Sequence, residues 1–202
     1  MTVSILGVVL AGLICGRFFI SAELLPFLEN SAEWLLAAML FVVGIDLGKN
    51  KDLVRQIKAL PKAALAVPFL IAFGSIGGAL LVNILLGLRP LEAAAVASGF
   101  GWYSLSGGLI AENYDVGLGA LAFLTNVFRE IIAILIIPHV AGRLGHLPAV
   151  APGGATTMDV TLPTISKHTS PQVTLVAFYS GVTLTLLVPV IIPLILYWAA
   201  SV

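Results

Sequence analysis

The chain has 202 residues, 59% of them hydrophobic and only 10% charged, and its ten basic and ten acidic side chains cancel. A soluble domain carries about 25% charged residues. A chain of this size cannot hide so much apolar surface from water, so the composition excludes a soluble domain and points to an integral membrane protein. Zero net charge offers no field for nucleic acid, and a lone cysteine, Cys15, excludes an intrachain disulfide and a thiolate metal site.

Apolar runs long enough to span recur along the chain, which favours helices over the short alternating strands of a barrel. The first span is expected at 2–20, without the basic leader and cleavage site of a signal peptide. The second is expected at 31–48, and the stretch 49–62, "KNKDLVRQIKALPK", follows with five Lys/Arg and one acid. Under the positive-inside rule that loop is cytoplasmic. The third span is predicted over 63–87, with Gly74, Gly77 and Gly78 suited to close helix contact. The fourth falls at 91–110, the fifth at 117–138 and the last at 172–200. Between the last two lies 150–171, moderately apolar and rich in Thr, Gly and Pro. The expected fold is a single all-α membrane transporter domain over 1–202, with six to seven transmembrane helices and a broken helix near 150–168. Seven spans place the N-terminus inside and the C-terminus outside.

Four stretches carry chemistry. In "NVFREI", Arg129 and Glu130 sit at the centre of an oily span. One charge there costs about 2.5–3.5 kcal/mol even on the lenient insertion scale. Thr125 and Arg129, and Asn126 and Glu130, are four residues apart and share one broad helix face, with Gly119, Ala122 and Ala133 on or near it. That face is expected to look into the bundle or a hydrated cavity. Asp46, near the end of the second span, is either an interfacial acid balanced by Lys49 and Lys51 or a site residue. Asp159 stands among Gly153, Gly154 and Pro163 with the hydroxyls of Thr156 and Thr157 beside it. Unwound membrane segments of this kind bind substrates and ions. "SGFGWYSLSGG", 98–108, offers Tyr103, Ser104 and Ser106 on a glycine-rich stretch; no strand precedes it, which excludes a dinucleotide motif. Zinc-protease, nucleophile-elbow and P-loop signatures are absent, the three histidines lack ligand spacing, and no enzyme, metal or cofactor is expected.

"ASGFGWYSLSG" at 97–107, "RE" within "NVFREIIAI" at 126–134 and "GGATTMDVTLP" at 153–163 resemble the LysO-type lysine exporter family, as do "FVVGIDLGKN" at 41–50 and the glycine-rich third span. The resemblance covers essentially the whole chain. It implies a multi-pass protein of the cytoplasmic membrane that exports L-lysine in exchange for protons, with Glu130 as the intramembrane glutamate and Asp159 in the family's Gly-Ala-Thr-x-Met-Asp string. Longer members carry an extra N-terminal membrane segment. The missing part, and any inverted-repeat partner, is expected from a separate small membrane subunit or a second copy in a homo-oligomer.

Lysine has two ammonium groups and one carboxylate at neutral pH. Glu130, Asp159 and Asp46 offer acids for the former, and Arg129 offers a fork for the latter. The rival reading is a non-transporting membrane subunit whose charges serve only helix packing or partner docking. It predicts a dry, fully paired bridge where transport predicts acids facing a cavity.

Overall fold

The computed structural model describes residues 62–201 continuously, together with scattered positions between 11 and 45. The chain divides into two compact units, Met1–Arg55 and Gln56–Val202, and the architecture below belongs to the second. The first two expected spans and the basic stretch before Lys62 lie almost wholly outside the described residues.

The described part is all-α, as expected of a membrane transporter. A short helix α1, Lys62–Leu65, leads into α2, Val67–Leu86. Two brief helices follow, α3 (Pro90–Ala97) and α4 (Tyr103–Asn113), and then the long α5, Val116–Arg143. Two 3-10 turns, Pro148–Val150 and Gly154–Met158, precede α6 (Leu162–His168) and the final α7 (Pro171–Ser201). Among the described residues α2, α5 and α7 are long and apolar enough to cross a membrane.

The stretch 91–110, expected as one span, is instead two helices. At 1.5 Å per residue, α3 rises about 12 Å and α4 about 16 Å, against a hydrocarbon core of about 30 Å. Neither crosses alone. Their outer ends meet: Arg89 Nη1 donates to Tyr114 Oη at 3.0 Å, and Tyr114 Oη donates to Glu92 Oε1 at 2.9 Å. The segment therefore enters and leaves at one end of the bundle, as a hairpin with its tip at 98–102. Arg89 Nη2 also donates to the carbonyl of Ala199, which brings the C-terminus of α7 to the same end.

The second broken segment mirrors the first. The α5 helix starts at the Tyr114 end and runs about 42 Å to Arg143; α7 runs about 46 Å back from Pro171 to the Tyr114 end. Residues 144–168 connect these two far ends, so they too form a hairpin, entering from the Arg143 end. The broken helix expected near 150–168 is present as this hairpin. The pattern of α2 plus its hairpin recurs, inverted, in α5 plus its hairpin. The Arg143 end also carries Lys167, His146 and His168; the Tyr114 end carries Glu92, Glu112 and Asp115 around Arg89.

The two tips meet inside the bundle. Ala155 N donates to the Phe100 carbonyl at 2.8 Å. The approach requires glycine: a Cβ on Gly154, whose φ is +61°, would overlap the Phe100 oxygen, and one on Gly101, at φ +104°, would meet the Gly153 oxygen at 3.2 Å. Small residues also seat α4 on α5, where a Cβ on Gly119 would fall 2.6 Å from Ala111 Cβ. Gly181 of α7 lies against the backbone of Ala155 and Met158, closing the core behind the second tip.

Candidate substrate and proton site

The buried stripe of α5 runs through Gly119, Ala122, Asn126, Ala133 and Ile137, one or two turns apart. This is the small-residue face read from the sequence, and it faces the hairpins. Thr125 departs from that reading, because it is exposed.

A broken helix frees backbone groups that a bilayer cannot satisfy. Asn126, 2% exposed, meets those of the first tip. Its Oδ1 accepts from Gly101 N at 2.7 Å, and its Nδ2 lies 3.1 Å from the Val96 carbonyl and 2.9 Å from that of Ala122. One amide thus serves the carbonyl end of α3 and the first free N–H of the break. Phe100 helps form this tip in the left-handed region, at φ +48°, with its ring fully buried. Such a conformation costs an ordinary residue about 1–2 kcal/mol, so the packing around it must hold it there.

Arg129, one turn further along, faces the second tip. Its Nε donates to the Pro152 carbonyl at 3.2 Å, Nη2 to that of Ala151 at 3.3 Å, and Nη1 to Ser75 Oγ of α2 at 2.9 Å. Its side chain is directed at oxygens of the protein. Among the described residues Arg129, Glu130 and Asp159 form no ion pair with one another.

Glu130 and Asp159 are brought within electrostatic range of each other, and Tyr103 lies within range of both. All three are partly buried. Glu130 makes no hydrogen bond to any described residue, whereas Asp159 Oδ1 accepts from Val160 N at 2.6 Å. Tyr103 opens α4 and packs edge-on against Phe123, ring centres 5.4 Å apart. The result is two carboxylates and an aromatic ring where the hairpins and α5 converge, a grouping that suits an ammonium ion.

The hydroxyls are placed differently from one another. Thr156 Oγ1 bonds to the Gly153 carbonyl at 2.9 Å, and Thr157 Oγ1 lies 2.8 Å from both the Gly154 and Ala177 carbonyls. Both are buried and tie the second tip to itself and to α7. Ser106 is fully buried, 3.4 Å from Asn126 Nδ2, and Ser104 is exposed. Asp46 lies outside the described residues.

A family model described as lysine exporter LysO matches residues 6–196. The chain belongs to the LysO lysine exporter family. The lysine exporter LysO of Escherichia coli K12 is 37% identical over 186 residues, which are 91% of this chain and 62% of that relative. The chain thus spans less than two thirds of that protein. A relative from Haemophilus influenzae is 29% identical over 188 residues, 93% of this chain and 94% of the relative. No solved structure matches the chain.

Membership in the LysO family fits the all-α membrane fold, but two buried or partly buried hydroxyls, one of them at the site, were not visible in the sequence. Ser75, which receives Arg129, lies 54 residues away in a run of glycines and apolar residues. Ser180 of α7 is fully buried, and its hydroxyl has no hydrogen-bond partner among the described residues. Neither hydroxyl has a sequence signal that sets it apart.

Proposed function

We propose that the chain exports L-lysine across the cytoplasmic membrane in exchange for protons. The observation that carries this is that Glu130 and Asp159, two acids with no ion-pair partner among the described residues, lie within electrostatic range of each other where two opposed hairpins meet α5. Carboxylates inside a bilayer need their charge balanced. A proton balances it, and so does a substrate ammonium. Competition between the two for the same acids gives exchange: lysine arrives as protons leave, and protons return as lysine departs. Tyr103 offers the ammonium an aromatic face. The lysine exporters among the relatives support the choice of substrate.

The rival reading, charges that serve packing alone, requires a paired bridge. The arginine here bonds to carbonyls and a hydroxyl, and among the described residues the acids have no ion-pair partner, which supports transport. Orientation follows from the charges. The end bearing Arg143 and Lys167 is assigned to the cytoplasm and the acidic Tyr114 end to the outside, so the C-terminus faces out.

The test is efflux of labelled lysine from proteoliposomes under an imposed pH gradient, acidic outside the exporting face. Lysine movement that follows the gradient is expected. Lysine movement indifferent to the gradient removes the exchange, and no movement removes the export.

A further inference from the structure

We propose that Arg129 is a positioning residue, which pins the second hairpin so that Asp159 stands opposite Glu130, and is not a ligand of the substrate carboxylate. The transport readout rests on the lysine-export reading above.

Four observations lead there. First, the guanidinium is already engaged: its three nitrogens reach Pro152, Ala151 and Ser75. One edge of its planar fork is taken up by two successive carbonyls. Second, it sits against both tips. A Cβ on Gly154 would lie 2.9 Å from Nη2 and 3.2 Å from Cζ, and one on Gly101 would lie 4.0 Å from Cδ. The Gly154 backbone therefore lies against that side of the guanidinium.

Third, Arg129 reaches across an open space. The α2 helix packs on α3 and α7 but scarcely on α5. A groove of about 910 Å³ separates them, with Leu70, Gly74, Ile132 and Ile136 on its walls and Ser75 and Arg129 within it. The Arg129–Ser75 bond therefore ties α2 to the helix that carries Glu130. Fourth, the chain from Pro152 to Asp159 is stiff. Residues 153–157 are buried, and the hydroxyls of Thr156 and Thr157 hold the carbonyls of Gly153 and Gly154. A hold on Ala151 and Pro152 is thereby transmitted to Asp159.

The experiment compares wild type, Arg129→Gln, Arg129→Lys and Ser75→Ala in proteoliposomes, with lysine as substrate and 1,5-diaminopentane, which lacks the carboxylate, as competitor. Losing charge-assisted bonds to the hairpin should raise the half-saturating lysine concentration of Arg129→Gln about tenfold or more. Arg129→Lys restores a donor without the fork and should fall between Arg129→Gln and wild type. Ser75→Ala keeps the hairpin bonds and should stay nearest wild type. Preference for lysine over diaminopentane should be the same in all four proteins. A variant that weakens lysine but not diaminopentane overturns the proposal, since Arg129 then touches the carboxylate. A lower maximal rate at unchanged half-saturation also overturns it, leaving only a role in folding.

A second readout needs no transport. With Val160→Cys in a Cys15→Ala background, Arg129→Gln should speed labelling by a thiol reagent, because the hairpin is released. Unchanged labelling overturns the proposal. If the wild type carries no lysine, the export reading falls and the labelling still decides the role of Arg129. If Arg129→Gln does not fold, Arg129→Lys is labelled in its place.

Discussion

Ala155 donates its backbone N–H to the carbonyl of Phe100, 2.8 Å away, and this bond joins the tips of two hairpins that enter the bundle from opposite ends. Around the junction, a single helix supplies the polar groups that each break requires. Asn126 serves the first tip and Arg129 the second. Glu130, on the next position of the same helix, is left with no hydrogen bond to a described residue. Two of the three polar residues in "NVFREI" thus hold the hairpin tips.

The tip contact leaves no room at Gly154. Gly154→Ala forces an L side chain into φ +61° and onto the Phe100 carbonyl. The backbone conformation alone costs about 1–2 kcal/mol, and the overlap adds to it. The purified protein should melt earlier in detergent and lose export. Gly78→Ala, where a Cβ meets nothing within 4 Å, should change stability by no more than about 1 kcal/mol. Equal melting of the two variants contradicts the close approach of the tips.

Asn126→Ala removes both the acceptor for Gly101 N and the donor to the Val96 carbonyl, in a buried place. Each abandoned backbone group costs about 1–3 kcal/mol. The yield of folded protein in size-exclusion profiles should drop sharply. Asn126→Asp keeps the acceptor for Gly101 N but sets an oxygen against the Val96 and Ala122 carbonyls, and should not recover it. A normal profile for Asn126→Ala means the first tip is held by other means.

Glu130→Gln and Asp159→Asn keep shape and hydrogen bonding and lose the charge and the exchangeable proton. Neither carboxylate is bound to an arginine among the described residues, so folded yield should stay near wild type while proton-driven lysine efflux collapses. Asp159→Asn should weaken lysine binding more than it lowers the amount of protein. Wild-type coupled efflux from either variant removes that acid from the mechanism.

The two hairpins dictate a labelling pattern that simple spans do not give. In a Cys15→Ala background, cysteines at Pro90 and Glu112 should both react with an impermeant reagent from outside intact cells. Cysteines at His146 and Gln172 should both resist it, as should residues 51 and 58 in the basic stretch. Opposite results at Pro90 and Glu112 mean that 90–113 crosses the membrane.

The membrane class, the spans that became α2, α5 and α7, and the small-residue stripe of α5 were legible in the sequence, because length, hydropathy and helical period are local properties. The break around Asp159 was legible for the same reason: Gly153, Gly154 and Pro163 disfavour a continuous helix wherever they stand. The hairpin at 90–113 was not. Its residues are apolar and small, and a continuous helix of that length would cross a bilayer; it folds back because Asn126, on another helix, satisfies the backbone that the turn frees. Arg129 was legible as a costly intramembrane charge, but its partners are two carbonyls and a serine 54 residues away, and carbonyls have no sequence signature. Sequence determined which groups are expensive to bury, and tertiary structure decided which of them are spent on the backbone and which remain free, since that depends on what the chain brings within hydrogen-bond reach.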